Sequence, residues 1–380
     1  MFRRSVLISV IAIICAIIPW GAAIAGRVHV GGTFDIRGTY DNNIFLEKRD
    51  KTGTFFTTIE PALNLSYRGP RLDIDAESGA TFFIYPSYED LSDQFFNQRV
   101  RIRYKLGPRL SLEAEDLYTY VNETIGKPET LSSNLVQSNS WRVRPIFQTN
   151  IGSRSRGKVT ASYGRTHYLD QVTGSRESPD FDEARVNLYL DRDVTERILV
   201  YTTQEFTDRD YDKVDESSFT GLLSTLGFRW RIGRTLSLDA SGGYNWLKFD
   251  EDGNQNGRII DVALHYTPNY RTRFTAGYSQ LFTSDVIGQV FQQDRVNLGV
   301  ERQVGPRTLL KFTSFFTELD QIGRGPSNNN FFGGNLGLVH KLRPRIKLLA
   351  DADWQQNGGG IETDDYEIFQ VTIGLRFEFQ

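Results

Sequence analysis

Apolar side chains recur at every second position along most of this chain. The first run is Val28, Val30, Gly32, Phe34, Ile36, Gly38 and Tyr40, and the second is Phe55, Thr57, Ile59, Pro61, Leu63, Leu65 and Tyr67. Later runs are as regular: Leu222, Ser224, Leu226, Phe228, Trp230 and Ile232, then Leu236, Leu238, Ala240, Gly242, Tyr244 and Trp246. The last is Phe369, Val371, Ile373, Leu375, Phe377 and Phe379. Charged and amide side chains fill the positions between. A period of two places alternate residues on opposite faces of a β-strand, one face greasy and one wet. No window shows a helical period.

The connections between runs alternate in length. Short ones carry Gly, Pro and Arg, as in Gly69-Pro70-Arg71, Gly107-Pro108-Arg109, Gly233-Arg234-Thr235, Gly305-Pro306-Arg307 and Arg343-Pro344-Arg345. The stretches 152–157, 191–196 and 267–271 read the same way. Longer polar connections fall near 42–53, 86–95, 122–138, 170–181, 207–217, 250–257, 284–291, 320–330 and 357–365. Eight short turns and nine long loops join 18 strands.

Strands of ten residues or more, even in number, with short turns at one end and long loops at the other, describe a transmembrane barrel. In lipid every backbone N–H and C=O must be paired within the protein, and a closed sheet achieves this. The predicted fold is therefore an all-β, antiparallel, up-and-down barrel of about 18 strands (16–18), with short periplasmic turns and long extracellular loops. A soluble sandwich or propeller is the rival, but it has no need to segregate its loops by length. Tyr67, Tyr104, Tyr120, Trp141 and Tyr266 near strand ends suit interfacial aromatic girdles.

The N-terminus changes the picture. Arg3 and Arg4 precede an apolar run from Val6 to Trp20, and Gly21-Ala22-Ala23-Ile24-Ala25 follows with small residues. This is the layout of an export signal, predicting cleavage after Ala25 and a single barrel domain over 26–380. Cleavage removes two arginines and no acid, which leaves 42 basic against 47 acidic residues, a net charge of −5. It also removes the one Cys, Cys15, and the one Met, so the exported chain has no disulfide, cysteine zinc site or cysteine nucleophile. A pI near 5.9 carries no basic footprint for nucleic acid. The first strand follows the signal within a few residues, so no N-terminal plug domain is expected. Any constriction then comes from a loop folding inward, the 122–138 loop being the longest.

With the apolar phase against lipid, the other phase lines a lumen. The third strand puts Asp73, Asp75 and Glu77 there, and the fourth Arg99, Arg101, Arg103 and Lys105. The fifth adds Glu113 and Glu115, and the sixth Arg142 and Arg144. Acidic, basic, acidic and basic columns thus stand side by side. They read either as a transverse field across a pore or as a wall that stays wet and paired. Barrels of 16–18 strands leave an aqueous channel unless something fills it.

Other candidate chemistry is sparse, and no cofactor is expected. Asp252, Asn254, Asn256 and Gly257 resemble the start of a calcium loop, but Ala263 stands at its twelfth position, where a bidentate Glu is required. An external hairpin loop is the plainer reading. His167 is the one histidine near the outside, with Ser162 and Asp170 within reach along the chain. It is the only opening for an outer-membrane hydrolase or acyltransferase. Gly333-Gly334 and Gly337 lie within a strand and permit close packing or a bend.

Thr372-x-Gly374-x-x-Phe377-x-Phe379 looks like the terminal strand signal read by the outer-membrane barrel-assembly machinery, although Gln380 follows the last aromatic. The segment Tyr40-Asp41-Asn42-Asn43-Ile44-Phe45, with the Gly-Pro-Arg turns and the whole-chain layout, resembles β-barrel porin proteins encoded beside exopolysaccharide and PEP-CTERM sorting genes. That resemblance implies a bacterial outer-membrane pore in contact with lipid and lipopolysaccharide, and exopolysaccharide export components as partners. The expected function is porin-like passage of a hydrophilic solute, without catalysis. The alternatives are the hydrolase or acyltransferase using His167, and a structural or adhesive barrel with a blocked lumen.

Overall fold

The structure, a computed structural model, describes residues 26–122, 135–168, 180–212, 218–250, 253–284, 290–321, 328–358 and 365–380. It contains 18 strands: β1 Arg27–Asp41, β2 Thr54–Arg68, β3 Leu72–Ile84, β4 Asp93–Lys105, β5 Leu110–Asn122, β6 Leu135–Ile151, β7 Ser155–Tyr168, β8 Phe181–Asp193 and β9 Ile198–Tyr211, then β10 Phe219–Ile232, β11 Leu236–Phe249, β12 Gly253–Asn269, β13 Thr272–Ser284, β14 Val290–Val304, β15 Thr308–Gln321, β16 Asn328–Arg343, β17 Ile346–Gly358 and β18 Tyr366–Phe379. Each pairs antiparallel with the next, and β1 pairs β18 in register from Gly32↔Phe379 to Asp41↔Gln370. That last ladder closes the sheet, so the backbone ladder has no open edge across the barrel's waist. Among the described residues no helix is long and apolar enough to cross a membrane; crossing is by strands.

The two phases of the strands differ in character. Large exposed apolar side chains, such as Val28, Phe55, Leu63, Leu226 and Ile373, occupy one phase. Buried polar ones, such as Asp35, Thr39, Glu113, Glu183 and Asp191, occupy the other. The concave side of a barrel is the crowded one, so the polar phase is the lumen and the apolar phase meets lipid. A soluble protein would reverse this. Strands of 13–17 residues span more than the ~25 Å apolar band of an outer membrane.

Three short turns place glycine where the backbone is left-handed: Gly152, Gly233 and Gly305 have φ of 75°, 76° and 77°. Side-chain-bearing residues enter this region at a cost, which is why these tight turns read so clearly in sequence. At the outer end the strands run further than the loop boundaries in the sequence indicate. β4 starts at Asp93, β9 continues to Tyr211, and β12 starts at Gly253. Strand segments beyond the lipid band carry polar residues on both faces, so they look like loop although their ladders continue. Asn254 and Asn256 accordingly lie within β12, opposite Lys248 and Trp246 of β11, rather than in an external loop.

Apolar side chains also cluster inside the outer mouth. Phe56, Phe83 and Phe95, from the lumen phases of β2, β3 and β4, bury against Tyr85 and Ile44. Ile44 belongs to the β1–β2 connection. Tyr85 follows β3, and Tyr88 and Leu91 pack on the cluster from the turn around the short 3-10 helix Glu89–Leu91. Phe56 and Tyr85 stack with ring centroids 4.7 Å apart. Burial and the nearby Asp41 carboxylate push the Tyr85 hydroxyl well above its ordinary titration range. The inward-folded segments among the described residues are thus the first two external connections. Residues 123–134 of the longest predicted loop lie outside the described residues.

Candidate functional site

Period-two alternation on neighbouring antiparallel strands dictates which charges meet. Asp73, Asp75 and Glu77 of β3 stand opposite Arg103, Arg101 and Arg99 of β4. Arg101 and Arg103 stand in turn opposite Glu115 and Glu113 of β5, which oppose Arg142 and Arg144 of β6. The four charged columns are therefore contiguous on the lumen wall.

The side chains do not pair simply across. Glu113 accepts from Arg103 at 2.5 Å and Arg144 at 2.5 Å, with Arg101 at 3.9 Å. Glu115 accepts from Arg99 at 2.8 Å, Arg101 at 3.0 Å and Arg144 at 2.7 Å. Arg142 turns away to Glu183 of β8 at 3.4 Å, and Glu183 also takes Arg185 at 3.0 Å and Arg209 at 2.6 Å. Three glutamates thus hold seven guanidinium groups, with Asp73, Asp75 and Glu77 across from Arg103, Arg101 and Arg99 and Glu205 at 3.4 Å from Arg185. The carboxylates are nearly covered (Glu113 and Glu183 side chains 4% exposed), while the Arg103 and Arg142 heads remain about 40% exposed. A covered carboxylate must be paired to stay charged. The arginines supply that pairing and leave their outer N–H groups facing the lumen. Lys105 pairs with Asp73 at 2.9 Å and Asp75 with Arg68 at 2.5 Å. Glu77 lines a pocket near the periplasmic end with His29, Asn64 and Asn97.

The arrangement favours small anions or anionic groups on a solute, held by guanidinium forks. Among the described residues it sets no nucleophile beside a base. His167 pairs with Asp180, not with Ser162. Ser162 opposes the lumen residue Arg185, whereas His167 opposes Asn139 on the other face. Residues five apart in a strand necessarily point to opposite sides. Asp170 lies outside the described residues. So does Asp252 of the calcium-like segment, and Asn254 and Asn256 project from β12 on its outward phase. Among the described residues no group of three or more His, Cys, Asp or Glu side chains is placed to hold a metal.

Two features escape motif-level reading. Asp116, the middle residue of β5, lies on the lipid-facing phase between Val100 of β4 and Trp141 of β6. The spacing Leu112, Ala114, Asp116, Tyr118 reveals it once the phase is known. The second is a clamp across the barrel seam. Asn43, fully buried, donates from its side-chain amide to the carbonyl oxygens of Glu47 and Glu367, each at 2.8 Å. Gln370 donates to Asp41 at 2.8 Å, and Phe369 N–H to the Asn42 side chain at 2.7 Å. Lys48 and Lys51 add ion pairs to Asp365 and Glu367 at 2.7 and 2.8 Å. The Tyr40–Phe45 segment is therefore a latch that fixes the first external connection to β18.

At the chain's end, Phe377 and Phe379 sit on the lipid-facing phase of β18, opposite Phe34 and Gly32 of β1. Gly374 faces the lumen, where the Arg37 side chain crosses it; a Cβ there would fall 2.7 Å from Arg37 Cγ. Arg376 donates to Asp35 at 2.6 Å, a second pairing across the seam, and Arg37 of β1 donates to the same carboxylate at 2.7 Å.

The chain matches the family described as Putative beta-barrel porin 2 over residues 21–379. The chain belongs to that family. No curated protein matches it in sequence. Among solved structures it is similar to OpdK of Pseudomonas aeruginosa, with a TM-score of 0.55 and 10% identity over 92% of this chain and 99% of that one. OccAB3 of Acinetobacter baumannii gives 0.54 and 10% over 92% and 99%. Pseudomonas aeruginosa OpdL gives 0.51 and 11% over 93% and 98%. These likenesses establish the shared fold. The protein is a porin-like barrel of the bacterial outer membrane, its apolar band set against lipid and lipopolysaccharide.

Proposed function

We propose that the barrel is a non-enzymatic, water-filled pore whose cargo is a hydrophilic solute, with export of an exopolysaccharide as the physiological task. The carrying observation is the lumen wall formed by Glu113, Glu115 and Glu183 with their seven arginines. Exposed guanidinium heads on a concave surface require water, and an 18-stranded barrel is wide enough to hold it. The exposed arginine side chains, set over covered carboxylates, support passage of anionic solutes. Export components at the periplasmic face and the barrel-assembly machinery, reading Gly374, Phe377 and Phe379, complete the proposed set of partners, and residues 1–25 act as the cleaved export signal. The test is conductance of the purified, refolded protein in a planar bilayer. Stable steps with anion preference support the reading; an electrically silent barrel supports a closed scaffold instead. Replacing His167 with Ala leaves such a pore unaffected.

A further inference from the structure

The periplasmic end of the lumen carries an aromatic surface that the charged columns do not explain. Tyr189 of β8 and Tyr201 of β9 both lie on the lumen phase, opposite Lys158 and Gly227 respectively. Their ring centroids are 6.0 Å apart and the planes differ by 31°, so the two faces form one nearly continuous surface. Tyr201 does not project into the lumen; it lies down along the wall. A Cβ added at Gly227 would come within 2.5 Å of the Tyr201 ring. The missing side chain lets the ring cross β10 and reach β11, where its hydroxyl donates to Asp239 at 2.6 Å. Held at both ends, the ring presents its face to the lumen at little further entropic cost.

Charged groups flank this surface on both sides. Asp239 also takes Arg229, at 2.7 Å, and Asp191, which faces the Tyr189 hydroxyl, takes Arg156 at 2.9 Å. The two arginine side chains are half exposed (56% and 50%), so each is oriented by a carboxylate while its remaining N–H groups face solvent. Lys158, across from Tyr189, adds a third cation. Flat aromatic faces attract the C–H face of a sugar ring, because the π-face is negative and the sugar C–H bonds are polarised positive. Oriented guanidinium groups bind carboxylates as forks. The combination is the chemistry that recognises an acidic sugar. A lumen ring also crosses a glycine on β15, where Phe315 lies over Gly333 with the Arg295 guanidinium above its face, 5.3 Å from the ring centroid. Phe315 is further from the short turns than Tyr201, hence deeper along the path from periplasm to exterior.

We propose that Tyr189 and Tyr201, with Arg156 and Arg229, form an entry subsite for a uronate-bearing oligosaccharide at the periplasmic mouth. This rests on the pore reading for its physiological meaning but not for its test. Binding of hexagalacturonate to the refolded barrel in detergent is measured by calorimetry. The wild-type protein binds it, and more tightly than neutral maltohexaose. Tyr189→Ala with Tyr201→Ala weakens binding by about tenfold or more, since both stacking faces are lost. Gly227→Ala, which leaves both tyrosines in place but lifts the Tyr201 ring, weakens it too, and covers the case in which the double variant fails to fold. Absence of wild-type binding at millimolar ligand, equal affinity for the neutral sugar, or unchanged affinity in the folded variants overturns the subsite. Conductance reports separately: a silent barrel that still binds the acidic sugar removes the pore and leaves the subsite standing.

Discussion

The side-chain amide of Asn43 reaches the backbone carbonyl of Glu367 at 2.8 Å, joining residues 324 apart in sequence across the one seam that the chain cannot close by a hairpin. Every other strand pair is held by a turn or loop as well as by its ladder. Among the described residues β1 and β18 are joined by their ladder, the Thr39–Thr372 hydroxyl pair at 2.9 Å, the Asp35–Arg376 pair and this latch. Asn43 also accepts from the Glu47 N–H, so one side chain organises both the external connection and the seam.

Asn43→Ala therefore leaves the carbonyls of Glu47 and Glu367 and the Glu47 N–H short of partners. The expected loss is about 1–3 kcal/mol, read as a lower urea midpoint for unfolding from lipid vesicles. Heat-modifiable migration on gels should persist, since the ladder itself remains.

Glu113→Gln acts on both stability and selectivity. It takes the negative charge from between Arg103 and Arg144, each 2.5 Å away. Because the arginine heads are partly solvated, the cost is about 1–2 kcal/mol rather than that of a fully buried pair. The lumen gains net positive charge, so the reversal potential in a salt gradient moves further toward anion selectivity. A shift toward cations would mean that this network does not line the conducting path.

Adjacent residues of β10 test the two faces directly. Leu226, at mid-strand, is 64% exposed on the lipid side, whereas Thr225 faces the lumen opposite Gly243. Leu226→Arg should cost about 2–4 kcal/mol, as a cation near the bilayer midplane does. Thr225→Arg should leave stability nearly unchanged and alter conductance. Asp116→Leu runs the other way. It removes a carboxylate from the lipid-facing phase of β5 and should stabilise by about 1 kcal/mol. Equal costs for the two β10 variants would contradict the assignment of faces.

Much of the fold is legible because alternation is a local rule. Once Val28–Tyr40 and Leu222–Ile232 are read as strands, the phase of each intervening residue follows, and the neighbouring turns fix which strands are adjacent. That suffices to bring Glu113 beside Arg103 and Arg144. It does not suffice to send Arg142 to Glu183, because Arg142 reaches straight across β7 at Gly164, and a glycine that opens such a crossing looks like any other strand glycine in sequence. Asn254 and Asn256 look like loop because the ladder outlives the lipid band, and polarity no longer marks a strand there. The Tyr40–Phe45 segment stands out as a pattern, but its partner strand lies at the far end of the chain. Likewise Gly227 reads as an ordinary strand glycine until the Tyr201 ring is seen lying across it.

The most direct test of the whole account is single-channel recording from the signal-free protein refolded into a planar bilayer. An open, charge-lined lumen predicts stable, anion-favouring conductance steps that shift in selectivity with Glu113→Gln. Purified protein that inserts and folds yet passes no current, or that stays dispersed in buffer without detergent, would contradict it.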